Sequence, residues 1–155
     1  MSDEPFTNAA VERIFTNFTN MNSVRDVGQF WESITAEDQW STEDFSFDDR
    51  RHVVSFGTTN AAGLLDAVST YWEFGRPTFE VLKILGIRGE RVAAGLVRVQ
   101  LPSDIVNEWI HVLELDRTLQ RVRRMVQFDP DDRHAAIAEL DRIHAEIDDE
   151  TDTPS

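Results

Sequence analysis

Asp49 follows Phe45 and Phe47 at a spacing of two, in a run of aromatic, β-branched and charged residues that reads as one or two short strands from Phe45 through Phe56. With that face turned inward, the carboxylate is desolvated and its pKa rises, as a general base requires. His111 keeps phase with Trp109, Leu113 and Leu115, which puts an imidazole on an apolar face where it can donate to a substrate oxygen or shuttle a proton. Tyr71 is the sole tyrosine of the chain and the only phenol able to act as an acid. Facing one cavity, these three make a cofactor-free acid/base set for a carbonyl compound, with Asp49 abstracting a proton and His111 or Tyr71 stabilising the oxyanion. Each also has a plainer reading. Asp48, Asp49, Arg50 and Arg51 can form a surface ion-pair cluster, and His111 can be a satisfied core histidine.

Candidate ligand-binding residues surround this set. Arg98 alternates with Val92, Ala94 and Leu96, and Arg124 with Val122, Val126 and Phe128, so either guanidinium can grip a carboxylate or enolate, or pair with Glu80, Glu108 or Glu114 across a sheet. Trp31, Trp72 and Trp109, with Trp40, offer enough aromatic surface to line a pocket for a flat organic ligand, or to serve as plain core. No metal site is expected. Asp129, Asp131 and Asp132 surround a proline at a helix start and read as capping, while His134 and His144 lack the i, i+4 spacing of a zinc helix. There is no glycine-rich phosphate loop or nucleophile elbow, so no cofactor is expected.

The elements that must position these residues follow from periodicity and caps. Val11, Ile14, Phe15, Phe18 and Met21 predict a helix capped by Thr7-Asn8; Val27, Phe30, Trp31 and Ile34 predict a second after a Ser23/Asp26 capping box, the two packed as a hairpin. Gly57 is expected to end the first strand region, and Asn60 to cap a helix carrying Leu64, Leu65, Val68, Tyr71 and Trp72, stopped by Gly75 and Pro77. Thr78 to Ile87, Val92 to Leu101, Ile105 to Leu115 and Leu119 to Phe128 predict an antiparallel meander. A last helix, capped by Asp129 with Pro130 in its first turn, buries Ile137, Leu140, Ile143 and Ile147.

A chain of 155 residues that is 41% hydrophobic is expected to form a single domain across 1–155, with short polar tails at about 1–6 and 148–155. Its net charge of −14 argues against nucleic acid and against anionic lipid surfaces. No leader and no apolar run of membrane-spanning length is present, so a cytoplasmic protein is expected. The absence of cysteine removes disulfides, thiolate nucleophiles and sulfur-ligated metals. One lysine beside fourteen arginines suggests a GC-rich or salt-adapted host.

The order helices, strand, helix, four strands, helix resembles the SnoaL-like, nuclear transport factor 2-like superfamily across most of the chain. The resemblance is carried by Phe47-Asp48-Asp49-Arg50-Arg51, by the helix from Asn60, and by Phe128-Asp129-Pro130-Asp131-Asp132 leading to Ala138-Glu139-Leu140-Asp141. It looks nearest to domains appended to bacterial cyclases and regulators. It implies an α+β cone, a curved antiparallel sheet with helices on its concave face, holding a small organic ligand and forming a homodimer through the sheet's outer face. Through Glu43 to Asp49 the chain is similar to ketosteroid isomerase, which implies the base at Asp49 and the second acid at His111. The isomerase's first-helix tyrosine is replaced by Ile14 or Phe15, and the Asp/Arg network of limonene epoxide hydrolase by Leu96 and Val126. Two functions therefore stand side by side: a cofactor-free isomerase, cyclase or dehydratase, and a non-catalytic ligand-binding or dimerisation module.

Overall fold

A computed structural model describes residues 7–36, 40–52 and 57–152. Helix α1 (Ala9–Asn22) starts where Asn8, in extended backbone, accepts from the Val11 amide at 2.8 Å. The Asn8 carboxamide also donates to the carbonyls of Gly89 and Val92, which ties the helix start to a strand turn 81 residues away. Ala10, Val11, Ile14 and Phe18 are buried by this helix. Phe15, expected in the same stripe, is 47% exposed, because a residue next to Ile14 lies about 100° around the helix from it.

Helix α2 (Val27–Ala36) is opened by Asp26, whose carboxylate accepts from the Gln29 amide at 2.8 Å, while Ser23 closes α1 by donating to the Asn20 carbonyl. The expected helical hairpin is not formed: α1 lies across the sheet, and α2 packs on the 3-10 turn Thr70–Phe74 through Phe30 against Trp72. Asn60 caps α3 (Ala61–Ser69) by accepting from Gly63, and Tyr71 and Trp72 fall on the 3-10 turn that follows.

Six strands form one sheet in the order β2-β1-β6-β5-β4-β3: β1 (Ser41–Asp49), β2 (Gly57–Thr59), β3 (Thr78–Arg88), β4 (Val92–Leu101), β5 (Ile105–Leu115) and β6 (Val122–Phe128). The last four make the antiparallel meander. Two features differ from expectation. β1 pairs parallel with β6, so the sheet is mixed; the strand reaches its partner only after the chain has passed through α3 and four more strands. Gly57 begins β2 rather than ending β1, with a φ of 68° suited to glycine, and residues 53–56 of the expected strand lie outside the described residues. β6 starts at Val122 and not Leu119, because the Asp116 carboxylate gathers Thr118, Gln120 and Arg121 into a closed turn with Leu119 at a φ of 64°.

The two faces of the sheet are both covered. Phe45, Phe47, Val97, Val99, Trp109, Leu113 and Met125 pack toward α1, α2 and α3 on the concave side. Val92, Ala94, Ile110, Val112, Val126 and Phe128 lie under α4 (Arg133–Asp152), which buries Ala136, Leu140, Ile143 and Ile147 against them. The outer face expected to meet a second copy is thus occupied, over these strands, by the chain's own helix. Arg50–Glu139, Arg88–Asp141 and Arg124–Glu146 flank α4. The partly exposed bridges to Asp141 and Glu146 contribute ~0–1 kcal/mol each, whereas each buried Leu or Ile contributes about 1.5–3, so the apolar stripe holds the helix. α4 opens at Asp132, whose carbonyl takes the first helical bond; Asp129, expected as the cap, instead accepts from the His52 amide. The helix continues through Asp152, into the segment expected as a tail. No described helix is long and apolar enough to cross a membrane.

Candidate functional site

Between the concave sheet and the helices lies a cavity of about 300 Å³, at the small end of ordinary ligand pockets. Ile14, Phe18, Phe30, Phe47, Leu64, Val68, Phe79 and Met125 form most of its wall, with Asn20 and Ser23, both exposed, on its rim. None of the residues lining it carries a charge at neutral pH; the titratable ones are His111 and Tyr71.

His111 reaches the cavity from β5 because Trp109, His111 and Leu113 share the concave face. Across the β5–β6 ladder it stands opposite Gln127, also buried and also lining the cavity. Directly paired side chains on one face lie within contact distance. The His111 ring stacks at a tilt on Phe18, 6.1 Å between centroids. Burial with no compensating charge lowers the imidazole to about 4, so the ring is neutral at ordinary pH. Its Nδ1 is sealed in the wall without a hydrogen bond, which leaves Nε2 to the cavity. No side-chain hydrogen bond occupies the Gln127 carboxamide among the described residues. Sequence reasoning passed over Gln127. The signal was its parity with Met125, usable only once the β5–β6 register is known.

Asp49 is buried on the same side as Phe45 and Phe47, and it is not among the residues lining the cavity. Both its oxygens are held by Arg51: Nε to Oδ1 at 2.8 Å and Nη2 to Oδ2 at 2.8 Å, with the two side chains 0% and 5% exposed. The surface ion-pair reading therefore fits Asp48 and Arg50, whose pair is partly exposed, and not Asp49 and Arg51. The Arg51 guanidinium lies 5.7 Å from the Trp109 ring centre. Burial raises the Tyr71 phenol above its usual value, opposed by Arg51 and Asn107.

The other candidates divide. Trp109 lines the cavity, with its indole N–H buried and unpartnered among the described residues. Trp72 is buried behind the wall, between Phe30 and Phe79, and donates to the Val24 carbonyl at 3.2 Å. Trp31 is 38% exposed and packs edge-on against Phe30, away from the lining. Arg98 and Arg124 are not at the cavity; they pair with Glu108 and with Glu114, because their positions face the outer side of the sheet. Among the described residues His52, Asp129 and Asp132 bring three possible metal-ligating atoms within 4.8 Å of one another. His52 Nε2 is already 2.8 Å from Asp132 Oδ2 at the start of α4 and is largely exposed.

No protein-family model and no curated protein sequence matches the chain. Solved structures do. Ketosteroid isomerase from Mycobacterium sp. superposes with a TM-score of 0.57 at 13% identity, covering 82% of this chain and 97% of that one. A putative SnoaL-like polyketide cyclase from Jannaschia sp. CCS1 gives 0.53 at 14% identity, covering 90% and 96%. The pinacolase BvnE from Penicillium brevicompactum gives 0.56 at 14% identity, covering 91% and 98%. At these identities the likeness is one of fold: the chain has the α+β cone of the SnoaL-like, nuclear transport factor 2-like superfamily.

Proposed function

We propose that this protein binds a small, predominantly apolar organic molecule bearing an uncharged carbonyl, hydroxyl or amide, with that group seated against His111 and Gln127. The observation that carries the reading is the lining: apolar throughout most of its wall, free of charged side chains among the residues that form it, and with an imidazole and a carboxamide side by side on the sheet floor. A buried amide or imidazole without a partner costs about 1–3 kcal/mol, and a ligand oxygen that accepts or donates there recovers it. The structural neighbours include a ketosteroid isomerase and a designed binder of 17-OHP, which is support by analogy of fold alone.

Binding rather than turnover is favoured by Asp49. A base has to offer a free lone pair to the substrate, and this carboxylate spends both oxygens on Arg51 outside the cavity lining. Its task in this reading is structural.

The test uses 2-acetonaphthone and 2-naphthoate, which share a ring system and differ in charge. The ketone is expected to quench tryptophan fluorescence saturably and to raise the melting temperature, by mass action on the folded state; the carboxylate is expected to bind at least tenfold more weakly. Equal or tighter binding of 2-naphthoate, or no binding of the ketone, overturns the reading.

A further inference from the structure

The asparagines of α1 and its cap divide by what they hold. Asn8 caps the helix start, and Asn22 ties its end to β3, accepting from the Phe79 amide at 2.7 Å and donating to the Phe79 carbonyl at 2.9 Å. Asn17 and Asn20 stand inside the helix, where asparagine is a weak former because its side chain competes for backbone groups. Neither makes such a bond. No hydrogen bond of either carboxamide is found among the described residues, and both residues line the cavity. A local preference broken with no structural return marks a functional position.

Burial sets these two at the opening. His111 and Gln127 on the floor are 4% and 8% exposed. The α1 wall runs from buried Ile14 and Phe18 through half-buried Asn17 to Asn20 and Ser23, the two exposed residues among those lining the cavity. The cavity thus meets solvent at the C-terminal end of α1. Its rim there is polar and uncharged: Ile14 to Val24 holds no charged residue, in a chain that is 28% charged, so an ionised group finds no countercharge on this segment. A carboxamide both donates and accepts, the pairing that a hydroxyl offers in return.

We propose that Asn17 and Asn20 hydrogen-bond a hydroxyl on the outer end of the ligand, which is a hydroxyketone with its carbonyl on the floor and its hydroxyl at the mouth. This rests on the binding reading above and adds to it the class of molecule and the direction in which it lies.

The experiment titrates the intact protein by tryptophan fluorescence with two isosteric pairs, 6-ethyl- against 6-(hydroxymethyl)-2-acetonaphthone and 6-propyl- against 6-(2-hydroxyethyl)-2-acetonaphthone. In a closed apolar end the alkyl member of each pair binds tighter, because a hydroxyl buried without a partner is penalised. At the proposed mouth the hydroxyl member of at least one pair is expected to bind about three- to tenfold tighter, the net worth of one hydrogen bond. Asn17→Ala combined with Asn20→Ala is expected to erase or reverse that preference. The melting temperature of the ligand-free double variant is expected to stay level or rise, since alanine is the better helix former. An alkyl preference in both pairs, a hydroxyl preference that survives the double substitution, or a lowered melting temperature overturns this inference and leaves the binding reading standing. Failure of 2-acetonaphthone itself to bind sinks both.

Discussion

Arg51 holds Asp49 by a two-point fork, two residues along the chain, at a place where neither side chain meets water. Buried pairs of this kind are costly to break from one side, since the remaining charge keeps its desolvation penalty and loses its partner. Asp49→Asn is therefore expected to destabilise the protein by about 3–5 kcal/mol, measured by urea unfolding. Asp49→Leu combined with Arg51→Met should cost less than either single change. A fully stable Asp49→Asn protein would show that the pair has no structural task.

His111 makes stability depend on pH in a defined direction. Its folded value, about 4, lies below the unfolded 6.5, so the unfolded chain binds the proton first as the solution is acidified. The neutral ring's contribution is complete above 6.5 and is lost as pH falls toward 4. Between pH 7 and pH 5 this amounts to roughly 2 kcal/mol. The difference in unfolding free energy between the natural protein and His111→Gln, followed over that interval, should shrink by this amount toward acid. A constant difference would mean that the ring is not held neutral.

Gln127 is expected to matter for ligand and little for folding. Gln127→Leu keeps the approximate volume and removes the carboxamide, so 2-acetonaphthone affinity should fall roughly five- to tenfold with the melting temperature unchanged or raised. Fluorescence titration and a thermal scan separate the two. Loss of stability without loss of affinity would place Gln127 in the scaffold.

Asn8 fastens α1 by one accepted and two donated bonds. Asn8→Ala removes the cap and leaves the Gly89 and Val92 carbonyls without that donor, for an expected loss of about 2 kcal/mol. Calorimetry checks it; a change under half of that would mean water replaces the side chain.

What could be read from the residues alone was what depends on near neighbours. Asn8 and Asn60 cap helices in their own vicinity, and the period-two phase of Phe45, Phe47 and Asp49, and of Trp109 and His111, places each on its buried face whatever the partner strand. Pairing partners are a different matter. Nothing local to Ser41–Asp49 says that it runs alongside Val122–Phe128, or that the stripe Leu140, Ile143 and Ile147 packs on the outer face of the sheet. The candidate site suffered for the same reason. Gln127 becomes visible only through its ladder opposite His111, and Arg98 and Arg124 could be sent outward only once the sides of the sheet were known.

The parallel alignment of residues 41–49 with 122–128 also sets a timetable. A ribosome delivers the first fifty residues long before their hydrogen-bonding neighbour exists, and contacts so far apart in the chain slow the search for the native state. Phe47 and Trp40, which close one flank of the hollow, must wait for nearly the whole polypeptide to emerge. The hollow is finished last, and a nascent chain stalled before residue 122 would own three helices and five strands with one flank of the sheet unpaired.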